Sequence, residues 1–128
     1  MNRLDEEVLA VGKWNGINIT AADLNSIVKN FRALKDVLDV PLKLGHSGDK
    51  DVREGQPALG WVKDLRVKGE KLVAELTDIP NILFEAMQKR LYTQKSVELL
   101  MNVEHKGKPY DIVMTGLAIL GSEIPAVN

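Results

Sequence analysis

The chain contains no cysteine and only two histidines, His46 and His105, so nucleophilic and acid–base chemistry has few side chains to draw on. Thiol nucleophiles, disulfides and cysteine-based metal sites are excluded. A serine needs a neighbouring base to take its proton, because the free hydroxyl is a weak nucleophile. Ser96 is the candidate. It lies in the alternating run 94–103, where Val97, Leu99, Met101 and Val103 take one face and Ser96 and Glu98 the other. The plainer alternative is a serine facing water on the polar side of a half-buried strand.

His46 is the base that the sequence offers. It continues the face of Leu42 and Leu44 at a strand end, where burial keeps an imidazole neutral and able to accept a proton. A histidine closing the edge of the core is the alternative. His105 falls in a turn among Glu104, Lys106 and Lys108 and reads as solvated. A carboxylate would orient the imidazole and stabilise its protonated form. Glu75, Glu98 and Asp111 are the three options, and spacing does not rank them. Asp49, Asp51 and Glu54 with His46 match no calcium-loop or zinc spacing. No phosphate-binding glycine motif is present, so no metal and no cofactor are expected.

The elements that must carry these residues can be read from periodicity. Residues 7–12 form a short apolar run ending in glycine, read as a first strand, and residues 12–18 have turn chemistry around Trp14. Thr20 and Asp23 have capping-box spacing, and Leu24, Ile27, Val28, Phe31 and Leu34 then recur as a helical stripe. Residues 47–57 read as an exposed loop, long enough to suggest a functional segment. Residues 59–67 and 71–77 make a hairpin across Lys68-Gly69-Glu70. Asp78 and Pro80 start a second helix, with Ile82, Leu83, Ala86 and Met87 as its apolar face. Residues 110–120 are apolar on both faces and read as a central strand. The expected fold class is α+β: a small, mainly antiparallel β-barrel or closed sheet of about five to seven strands flanked by two helices.

Composition narrows the function classes. At 128 residues the chain is expected to be a single domain spanning 1–128. Lys plus Arg number 17 against 18 Asp plus Glu, which argues against a nucleic-acid partner. No apolar run is long enough to span a membrane, and the opening residues turn acidic at once, unlike a signal peptide.

Several segments, in order, resemble a known family. Val-Pro-Leu-Lys-Leu-Gly-His at 40–46 and Pro-Ala-Leu-Gly-Trp-Val at 57–62 resemble the histidine region of the prohead (capsid maturation) proteases of Mu-like phages. Lys-Ser-Val-Glu-Leu at 95–99 is similar to that family's nucleophile motif, a serine followed two residues later by glutamate. Residues 115–121, the following Pro125-Ala126-Val127, and residues 11–15 with the helix after them look similar too. The resemblance implies an assemblin-like fold and a serine endopeptidase that cleaves scaffold or capsid protein inside the procapsid, in the host cytoplasm. It implies Ser96 as nucleophile and His46 as base. Assemblin's third member is a second histidine; His105 departs from that pattern, and Glu75 is the acidic residue chosen in its place. By the same analogy, residues 117–121 would supply oxyanion donors. Implied partners are scaffold and major capsid chains and a second copy of this chain, with neither nucleic acid nor membrane. The competing reading is a non-catalytic scaffold or assembly-core module with the same fold.

Overall fold

The computed structural model describes residues 2–14, 16–45, 58–92 and 94–120. Ten elements follow one another: β1 (Asn2–Ala10), β2 (Gly12–Trp14), β3 (Ile17–Ile19), α1 (Ala21–Ala33), β4 (Val40–Leu44), β5 (Trp61–Lys68), β6 (Lys71–Ile79), α2 (Asn81–Gln88), β7 (Gln94–His105) and β8 (Lys108–Leu120). Helix α1 starts where its cap dictates. Thr20 Oγ1 accepts from the Asp23 amide at 3.1 Å, and Asp23 Oδ2 accepts from the Thr20 amide at 2.8 Å, satisfying two amides that have no partner within the helix. Its stripe Leu24, Ile27, Val28, Phe31 and Leu34 is buried, as the periodicity required.

Helix α2 fits less well. Leu83 and Met87 are buried, but Ile82 is 86% exposed. Eight residues make little more than two turns, so only a narrow side of the helix meets the core and Ile82 falls off it.

The strands form a six-stranded sheet in the order β1-β6-β5-β4-β8-β7, with β2 and β3 as a separate hairpin sheet. This corrects the expected fold class. Among the described residues the structure is mostly β, 59% strand, with two helices, and no closed barrel is formed. The sheet is mixed because β4 runs parallel to β8, while the other strand pairs are antiparallel. Its two edge strands, β1 and β7, are not joined by a ladder among the described residues. They meet through side chains instead: Lys95 Nζ lies 2.9 Å from Glu6 Oε2.

The core explains where the sheet is strongest. Leu24 and Ile27 of α1 pack with Leu42, Leu65, Leu72, Leu76, Met114 and Leu117 in one apolar cluster. Strand β8 has buried residues on both faces, including Ile112, Val113, Leu117 and Ala118, as a strand flanked on both sides should. Asn30 is the buried polar residue of α1, and its amide donates to the Ile112 carbonyl at 2.8 Å and to Asp111 Oδ1 at 2.9 Å. The described parts of the two segments that carry the histidine-region resemblance, 40–45 and 58–62, lie side by side. Leu42 donates to the Gly60 carbonyl at 2.9 Å, Leu59 donates back to Leu42 at 2.8 Å, and Pro41 pairs with Trp61. Gly60 is required there: its φ is 132°, and a Cβ would lie 2.9 Å from the Thr77 carbonyl oxygen.

Candidate active site

Register builds the site. Ser96 of β7 pairs with Ala118 of β8, and Ala118 pairs on its other side with Lys43 of β4. Lys43, Ala118 and Ser96 therefore form one row across three strands. Glu98 lies two residues beyond Ser96 and pairs with Gly116, so it shares the Ser96 face. Lys43 Nζ reaches Glu98 Oε1 at 2.6 Å, with side chains 23% and 17% exposed.

That reach depends on a missing side chain. A Cβ added at Gly116 would run into Glu98 Oε1 and lie 3.2 Å from Lys43 Cε. Gly116 and Ala118 thus form a low floor on β8, across which residues of β4 and β7 can meet. A register shift follows Glu98, and there Thr115 Oγ1 donates to the Glu98 carbonyl at 3.3 Å.

Ser96 is half-buried and its hydroxyl makes no hydrogen bond to a described residue. Among the described residues its strand has an open edge, because β7 pairs there with β8 alone. Beside it, a cavity of about 270 Å³ lies between β1, the β2–β3 hairpin and β7. Val8, Leu9, Trp14, Val97 and Leu99 line it together with Ser96.

The remaining candidates are placed as follows. His46, and the 47–57 loop with it, lie outside the described residues. Strand β4 ends at Leu44. Gly45 follows with φ of 73°, donating to the Ile119 carbonyl at 3.2 Å. That left-handed turn interrupts the two-residue alternation of β4 directly before His46. Glu75 is elsewhere in the sheet, on β6 between β1 and β5, and pairs with Arg3 and, at 3.9 Å, with Lys63.

Asp111 is also distant, seven residues from Ala118 along β8, about 23 Å at strand rise. Its carboxyl is held below the usual range by the Asn30 hydrogen bond, against slight desolvation, with a further bond from Ser26. Of the three carboxylates, Glu98 alone shares the face and strand of Ser96. Among the described residues no group of three or more metal-ligating side chains occurs, and no helix is long and apolar enough to cross a membrane.

Compared with protein-family models, with curated proteins and with solved structures, the chain matches none.

Sequence reasoning missed Lys43. The signal was present, since Lys43 stands on the face of the strand opposite Leu42 and Leu44. Its significance depends on β8 lying between β4 and β7, which no local pattern announces. Of the 117–121 segment, residue 121 lies outside the described residues. Leu117 and Ile119 lie in β8 with partners on both sides, so the ladders engage their amides.

Proposed function

We propose that this chain is a serine endopeptidase of the phage prohead type, cleaving scaffold or capsid chains during procapsid assembly. The observation that carries the reading is the row Lys43–Ala118–Ser96, with Glu98 on the same face over Gly116. A half-buried serine beside a carboxylate on an open strand edge suits attack on an extended peptide. Ser96 is the proposed nucleophile and His46 the proposed base. Glu98, not Glu75, takes the place of the third member.

Ser96 Oγ attacks the peptide carbonyl as the base accepts its proton, then the base returns that proton to the leaving amine. Water releases the acyl group by the reverse sequence. Amides on the open edge of β7 are the proposed oxyanion donors, because alternate N–H groups of an edge strand point away from its single partner. Losing one such donor costs about 10²–10³ in rate. Proposed partners are scaffold and capsid chains and a second copy of this chain, within the assembling procapsid.

Co-expression with a scaffold substrate tests the reading, wild type beside Ser96→Ala and His46→Ala. The expected result is cleavage by wild type and none by either variant. Cleavage unchanged in both would overturn it. No cleavage by wild type during assembly would favour a non-catalytic assembly-core module.

A further inference from the structure

We propose that the cavity between the β2–β3 hairpin and β7 is a specificity subsite: it takes one aliphatic side chain of the peptide, next to the bond that Ser96 attacks. It would therefore select chains with a branched aliphatic residue beside the cleavage point. The inference rests on the reading of Ser96 as a nucleophile and supplies the substrate chemistry that reading leaves open.

Placement is the first support. The cavity borders Ser96, and Lys95, Val97 and Leu99 of the same strand also line it. Alternation puts those three side chains on one side of β7 and Ser96 with Glu98 on the other. A peptide extended along β7 turns its own side chains alternately to the two faces. When one residue presents its carbonyl to Ser96, a neighbour's side chain therefore points to the cavity. The volume, about 270 Å³, falls below the roughly 300–1,000 Å³ of organic-ligand pockets, so a side chain suits it better than a whole small molecule.

Chemistry is the second. Lys95 is the one charged group among the described residues that line the cavity, and its ammonium lies 2.9 Å from Glu6 Oε2, with both side chains 19% exposed. A charged side chain entering here would shed water beside a cation that is already paired. An aliphatic one gains by leaving water.

The rim is the third. Trp14 is 49% exposed and Ile17 48%, and they are direct partners across the β2–β3 ladder, so their side chains share one face. The Trp14 ring is fixed, because its Nε1 donates to the Ala10 carbonyl at 2.8 Å. The hairpin stands outside the six-stranded sheet, and its two large apolar side chains meet solvent at the mouth of an apolar cavity.

The test is binding, with the chemistry disabled. The whole chain carrying Ser96→Ala is titrated with acetylated peptide amides Ala-X-Ala, where X is Leu, Ala, Asp or Lys. The readout is the NMR signal of the indole N–H groups of Trp14 and Trp61, the two tryptophans of the chain. The Leu peptide is expected to shift Trp14 and leave Trp61 in place, and to bind about tenfold tighter than the Ala peptide. The Asp and Lys peptides should bind more weakly than the Leu peptide. Ile17→Glu puts a carboxylate at the rim and should raise the preference for Lys over Leu by about two- to fivefold. The four-peptide comparison stands without that variant should it fold poorly. Equal binding of all four peptides, or shifts at Trp61 in place of Trp14, overturns the inference. Labelling of wild-type Ser96 by a fluorophosphonate without selective peptide binding overturns this inference alone. Selective binding without such labelling overturns the serine reading, and with it the assignment of the cavity to a cleavage subsite.

Discussion

The two ends of the β7–β8 ladder both carry polar side chains, yet they use them differently. At the Asp111 end, the buried Asn30 amide donates to Asp111 and to the Ile112 carbonyl, fastening α1 to the sheet. At the Ser96 end, Lys43 and Glu98 cross two small residues to reach each other, and no helix needs them there. Such a pair, on a strand with one ladder partner among the described residues, is where the proposed chemistry would have room. The contrast teaches that burial alone does not separate structural from chemical polar groups; what they fasten does.

Breaking the Ser96 end should show the largest effect. Ser96→Ala is expected to reduce scaffold cleavage by about 10³-fold or more, measured by gel-based rates, because the acyl intermediate cannot form. Its melting temperature should stay close to that of wild type, since a half-buried hydroxyl with no described partner supports little of the fold.

The other end should respond in stability and not in cleavage. Asn30→Leu removes the buried side-chain donor that the Ile112 carbonyl and Asp111 share, at a cost of about 1–3 kcal/mol. Thermal denaturation should report a fall of several degrees, with cleavage at permissive temperature retained. A variant that loses cleavage while keeping its melting temperature would erase the contrast.

Gly116→Ala sharpens the comparison because it adds one methyl and removes no charge. The added methyl should push the Glu98 carboxylate aside at little cost in stability, read by denaturant titration, while cleavage falls. Unchanged activity would show that the position of the carboxylate is unimportant.

The smallest effect concerns pH. The Asp111 carboxyl titrates below its ordinary value in the folded chain, first through the Asn30 hydrogen bond. Its contribution to stability is therefore present above the unfolded pKa and is lost as pH falls through the lower folded value. Asp111→Asn should flatten the acid limb of a stability-versus-pH curve slightly. A curve identical to that of wild type would contradict the assignment.

Much of this was legible in the residues. The Thr20–Asp23 cap, the stripe of α1, the β5–β6 hairpin and the central character of β8 all follow from local periodicity and turn chemistry, which act over a few residues. Strand β1 was read only in part, because Arg3, Asp5 and Glu7 face outward and are exposed, hiding the alternation behind charge. The parallel pairing of β4 with β8 was not legible at all. It joins residues more than 70 positions apart, and that pairing brings Lys43 into the Ser96 row. The proposed choice of Glu98 over Glu75 and Asp111 likewise rests on register, which puts Glu98 alone of the three on the strand and face of Ser96.

The central claim is that Ser96 is an activated nucleophile. Peptide mapping by mass spectrometry after exposure of the intact chain to a fluorophosphonate tests it most directly. The account predicts a single adduct on Ser96, absent in Ser96→Ala and strongly diminished in His46→Ala. An unmodified Ser96 in the folded wild-type chain, or an adduct that His46→Ala leaves at full rate, would contradict it.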